Sequence, residues 1–119
     1  MWPVKGKVIQ KFGQSGIKRH LGIGIRADRG TPVAAAESGK IIFASENFRS
    51  YGKTIIIEHN EYYTTVYAHN SVNLVREDHE VKKGEKIAEV GDTGWADSPF
   101  LYFEIRYREK PRNPVFMLP

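Results

Sequence analysis

The sequence predicts an all-β protein, a sandwich or barrel of short antiparallel strands. Short apolar runs rich in β-branched residues are separated throughout by Gly, Pro, Asn and Asp. Half-buried strands and their turns are written in this way. No 11-residue window carries the i, i+3, i+4, i+7 apolar stripe of an amphipathic helix. At 119 residues the chain has room for one domain with a core of its own and too little for two, so residues 1–119 are read as a single domain.

The elements follow in order. Val4-Lys5-Gly6-Lys7-Val8-Ile9 is an expected strand after Pro3, and Leu21 to Ile25 is the next, after a polar loop. Thr31 to Ala36 follows the turn Asp28-Arg29-Gly30, and Gly39 to Ala44 follows Ser38. Lys53 to His59 is dense in β-branched residues, and Asn60-Glu61 turns it into Tyr62 to His69 as a hairpin. Val81 to Gly91 gives a turn and a strand. Two passages echo each other faintly: Gly30-Thr-Pro-Val-Ala-Ala-Ala-Glu-Ser-Gly39-Lys-Ile and Val81-Lys-Lys-Gly84-Glu-Lys-Ile-Ala-Glu-Val-Gly91. The last strand, Ser98 to Arg106, alternates with period two. Leu101, Phe103, Ile105 and Tyr107 form its expected core face, and Phe100, Tyr102, Glu104 and Arg106 form the other.

Composition narrows the function classes. There is no apolar run long enough to span a membrane. Met-Trp-Pro-Val-Lys-Gly-Lys has no apolar core of a signal peptide, and an excised fragment with an added Met1 is the expectation. The absence of cysteine excludes a disulfide framework and a thiolate metal site. With 18 basic and 14 acidic residues the net charge is +4, which favours anionic partners such as cell-wall polymer, acidic protein faces, nucleic acid or anionic lipid. The densest basic run, Arg106-Tyr107-Arg108-Glu109-Lys110-Pro111-Arg112, is broken by an acid and a proline, so it reads as a solvated face rather than a nucleic-acid patch.

A zinc hydrolase needs three protein ligands, an open position for water, and a proton donor or base nearby. The chain has four histidines. His59 and His79 lie in expected turns and read as solvated. His20 and His69 lie beside strands. Ser98 has no His–Asp logic around it and there is no G-x-S-x-G. Gly22-Ile23-Gly24 lacks the third glycine and the helix of a phosphate cradle. The tyrosines Tyr62, Tyr63, Tyr67 and Tyr102 read as core or groove walls rather than base-stacking platforms.

Phe100-Leu101-Tyr102-Phe103-Glu104-Ile105-Arg106 resembles the H-x-H-F-E-I-R strand of the LytM-type (M23, lysostaphin-like) zinc peptidases. His20-Leu21-Gly22-Ile23-Gly24 resembles that family's H-x-x-x-D zinc motif, and Tyr67-Ala68-His69 its Y-A-H segment. The resemblance runs from Trp2-Pro3-Val4-Lys5-Gly6 through Tyr51-Gly52-Lys53-Thr54-Ile55-Ile56-Ile57 to Asn113-Pro114. It implies an antiparallel sheet with a surface groove, built on the duplicated hybrid motif of paired half-barrels that the echoing passages suggest. It also implies a site stripped of its chemistry. Gly24 and Tyr102 stand at two zinc-ligand positions and Phe100 at a catalytic histidine. His20 would be a former ligand and His69 a former catalytic histidine, with Glu104 available as a substitute. No cofactor and no catalytic or metal residue is therefore expected.

The degenerate LytM domains of the NlpD and EnvC type look most similar. They imply a non-enzymatic activator of N-acetylmuramoyl-L-alanine amidases in daughter-cell separation, located in the periplasm or cell envelope. Peptidoglycan is a second expected partner, and nucleic acid is not. The binding residues expected are Tyr102, Arg106, Phe100, Tyr51, His20, Gly24, His69 and Glu104. Two other readings stay open: a peptidoglycan-binding scaffold module, and a divergent zinc metalloendopeptidase with substitute ligands.

Overall fold

Strand after strand pairs antiparallel with its neighbours. The computed structural model describes residues 1–15 and 18–119. Its strands are β1 (Lys7–Gln10), β2 (Gly13–Ser15), β3 (Lys18–His20), β4 (Ile23–Arg26), β5 (Pro32–Ala34), β6 (Gly39–Phe48), β7 (Gly52–Glu58), β8 (Tyr63–Asn73), β9 (Glu80–Val81), β10 (Lys86–Val90), β11 (Phe100–Tyr107) and β12 (Lys110–Arg112). One-turn 3-10 segments occupy Arg49–Tyr51 and Pro114–Phe116. The main sheet runs β1-β4-β11-β8-β7-β6-β9, with β10 bridging β8 and β5, and β12 flanking β11. A separate hairpin pairs β2 with β3.

The turn between β7 and β8 shows how local chemistry sets the register. Asn60 Oδ1 accepts from the amides of Tyr62 and Tyr63 at 2.8 and 3.0 Å, a side-chain-closed turn that returns the chain antiparallel. The two echoing passages lie against each other. β5 pairs with β10 and β6 with β9. Ala35 N donates to Glu85 O and Gly84 N to Ala35 O, lacing the copies together.

The expected strands are present, with shifted ends. β6 continues past Ala44 to Phe48, and β8 past His69 to Asn73. Register shifts in both strands break the alternation from which their length would be read. The polar β2–β3 hairpin has no apolar period and was not expected.

The core is aliphatic, with Ile23, Ile25, Val33, Ile41, Ile55, Ile57, Ile87 and Leu101 fully buried around Tyr67 and Phe103. Two sequence expectations need correction. β11 does not divide into a core face and a free face: Phe100 is 3% exposed and Glu104 0%. The strand is central, flanked by β4 and β8, and Tyr51 and His69 pack over its second face. His59 is not a solvated turn residue. It is half-buried, with Nδ1 2.8 Å from Ser38 O and Nε2 2.7 Å from Thr65 Oγ1, and Thr65 in turn meets the Tyr67 hydroxyl. A carbonyl only accepts, so His59 Nδ1 carries a ring proton and donates it to Ser38 O. Burial holds the His59 pKa below the ordinary imidazole value. His79 is exposed, as expected.

Candidate functional site

Three segments far apart in sequence meet on adjacent strands. In the β4–β11–β8 register, Tyr102 lies opposite Gly24 on one side and Ala68 on the other. His20 closes β3, and His69 follows Ala68 in β8. Above these strands opens a groove of about 460 Å³. His20, Tyr51, His69, Phe100 and Tyr102 line it, together with Gln10, Leu21, Ser50 and the Trp95–Asp97 loop. The floor is aromatic: His69 packs edge-on to Phe100 with centroids 5.0 Å apart, and Tyr51 edge-on to Tyr102 at 5.4 Å. Phe48 extends the series beyond Tyr51, at 5.7 Å.

Beneath this floor lies Glu104. Its Oε2 accepts from the Tyr51 hydroxyl at 2.5 Å and the Tyr102 hydroxyl at 2.8 Å. Its Oε1 accepts from Arg106, with both Nε and Nη2 at 2.6 Å. A carboxylate wholly out of water is tolerated because four donors surround it. Burial, then the Glu104 contact, pushes the Tyr51 hydroxyl up to about 12. Burial and the charge of Glu104 raise Tyr102 as well. Burial alone would lower Arg106, but its pairing with Glu104 outweighs that and holds its pKa above the ordinary value.

His69 sits in the left-handed region at φ 64°, beside the register shift of β8. That conformation is uncommon for a side chain larger than glycine. Its Nδ1 lies 2.8 Å from Thr93 O, and burial lowers its pKa.

The side chains of this site do not fit zinc. Gly24 offers no donor. The Tyr102 hydroxyl is directed to Glu104. Both Glu104 oxygens already accept from the chain's own groups, so Glu104 is not available as a substitute. Among the described residues, no three His, Cys, Asp or Glu side chains gather as a ligand set.

The sequence-derived binding residues divide by depth. Tyr102, Phe100, Tyr51, His20 and His69 line the groove. Gly24 lies below, where a Cβ would come 3.1 Å from Phe100 Cδ2 and from Gln10 Cβ. Glu104 is fully buried, and Arg106 is committed to it rather than to the groove wall. Sequence reasoning missed the rim loop. Trp95 is 85% exposed and Asp97 is exposed beside it. The signal was present: a tryptophan amid turn residues, Gly94-Trp95-Ala96-Asp97-Ser98, just before β11.

The family model for peptidase family M23 matches residues 18–114. The chain belongs to peptidase family M23. Over 118 residues it is 48% identical to the murein hydrolase activator NlpD of Escherichia coli, covering 99% of this chain and 31% of that protein. It is 37% identical to the cell division protein DipM of Caulobacter vibrioides, covering 99% of this chain and 20% of that one. The chain thus spans less than a third of the length of these curated relatives. The fold is shared with solved M23 enzymes: lysostaphin, the antimicrobial peptidase of Staphylococcus simulans, superposes with a TM-score of 0.88 at 28% identity, covering 95% of this chain and 49% of that one. This M23 fold is the all-β, antiparallel architecture that the sequence predicts.

Proposed function

We propose that the chain is a single degenerate LytM domain that binds and activates N-acetylmuramoyl-L-alanine amidases without hydrolysing peptidoglycan itself. The observation that carries this reading is the Glu104 cluster. Where an M23 peptidase would hold metal, this chain has Gly24, a tyrosine bonded to its own carboxylate, and a Glu104 whose two oxygens already accept from Tyr51, Tyr102 and Arg106. The groove above it stays open and aromatic. Aromatic walls of this kind suit a protein segment, because rigid rings supply contact area at low conformational cost. Two relatives support the setting by their names, a murein hydrolase activator and a cell division protein. The reading places the chain in the cell envelope during septal splitting, with a regulatory segment of the amidase in the groove and peptidoglycan nearby.

The test is dye release from labelled sacculi. The chain alone leaves release at background, and release rises when a cognate amidase is added. Metal-dependent release by the chain alone would make it a divergent peptidase. Elemental analysis after equilibration with zinc is the companion measurement: one tightly held zinc per chain would overturn the reading.

A further inference from the structure

The rim of the groove differs in chemistry from its floor. Trp95 is 85% exposed, yet its backbone is tightly held. Trp95 N donates to Ser50 O at 2.9 Å. Thr93 Oγ1 accepts from Lys53 N at 3.0 Å and donates to Asn70 O at 2.8 Å. Gly94 packs so closely that a Cβ there would meet Ser50 O at 2.3 Å. An indole held out in water on a fixed loop loses little freedom when a partner covers it.

Asp97 lines the same groove and is exposed. No lysine or arginine among the described residues forms an ion pair with it. The floor offers no such free charge, since Glu104 and Arg106 cancel each other. In a protein of net charge +4, the rim of the groove therefore carries a negative charge that has no ion-pair partner among the described residues, beside an exposed indole face.

We propose that Trp95 and Asp97 form a cation-reading rim, which takes a lysine or arginine of a bound protein segment whose apolar side chains rest on Tyr51, Phe100 and Tyr102. The indole face attracts the cation and the carboxylate bonds to it. The same carboxylate disfavours anionic cell-wall stem peptides as the occupant, because like charges repel. The inference rests on the groove being a protein-docking surface, as the activator reading requires, and it adds what the docked segment must contain.

The experiment is selection of displayed random peptides on the 119-residue chain. Enriched peptides are expected to place Lys or Arg beside apolar residues. Trp95→Ala should weaken them roughly tenfold and Asp97→Asn roughly fivefold, with melting temperatures unchanged because both side chains are exposed. Asp97→Lys should turn the preference towards acidic peptides. Peptides that require Tyr102 but show no basic preference, or that ignore Trp95 and Asp97, overturn the rim and leave the docking groove standing. No enrichment at all overturns both. Binding to sacculi that Trp95→Ala abolishes, with peptide binding unaffected, assigns the indole to sugar stacking and overturns the rim. Absence of amidase activation with the basic preference intact would count against the activator reading alone.

Discussion

Glu104 has no water to fall back on, so each of its donors matters in proportion to its charge. Among the described residues, Arg106 supplies the only positive charge in the cluster, and it is about a third exposed, at 32%. Removing it strands a buried carboxylate, and breaking a buried pair from one side costs about 3–5 kcal/mol. Arg106→Ala should therefore lower stability by about that much, and any loss of partner binding it causes must be read against its melting curve. Tyr51→Phe deletes one neutral donor of several and should cost about 1–2 kcal/mol. Chemical denaturation of both variants checks the order; equal costs would mean that Arg106 does not neutralise Glu104. Gly24 gives a second residue-scale prediction. An Asp there would press on Phe100 and Gln10. Gly24→Asp alone should destabilise by about 1–3 kcal/mol, the usual cost of overpacking. Adding Phe100→His and Tyr102→His opens space and supplies imidazoles. The triple variant should gain zinc affinity that the single one lacks, measured by calorimetry. A folded triple variant without zinc affinity would show that these positions do not converge on one ion with His20.

At the scale of elements, β8 carries its strain in one place. His69 at φ 64° sits at a break in the register, clamped by the Thr93 carbonyl. Glycine reaches this conformation without steric cost, whereas alanine does not. His69→Ala should thus be less stable than His69→Gly by about 1 kcal/mol, although both lose the same imidazole. Thermal melting of the pair decides it, and an equal or reversed order would deny the strain. These elements also show what was legible in the sequence. β11 and the β7–β8 hairpin were readable because alternation and Asn60-Glu61 are local signals. The convergence of His20, His69, Phe100 and Tyr102 followed from three short motifs that register then brought side by side. The burial of Glu104 was not readable, because an alternating strand looks half-solvated until Tyr51 is known to cover it. Trp95 and Asp97 were missed because a loop has no period to mark which side chains face a groove.

Over the whole molecule, the titrating groups predict a stability plateau with two edges. His59 and His69 have pKa values depressed below the ordinary imidazole value of 6.5, chiefly by burial. The unfolded chain then binds more protons than the folded one as pH falls through that value. Their contribution is complete above about pH 6.5 and is lost progressively below it. The tyrosines act in the opposite sense. Tyr51 and Tyr67 are raised to about 12, mainly by burial, and Tyr102 is raised as well. Between the ordinary phenol value and these raised values the folded chain holds protons that the unfolded chain releases. Stability is therefore complete below about pH 10 and falls as pH rises beyond it. Melting temperature should be flat between the two edges and decline outside them. Confining the acid arm to pH values above about 5 keeps most carboxylates ionised, so the histidines dominate there. In that arm, His59→Gln with His69→Gln should flatten the slope while leaving the alkaline edge in place. A double variant that keeps the full acid slope would assign it to other groups and refute the buried neutral imidazoles as its source.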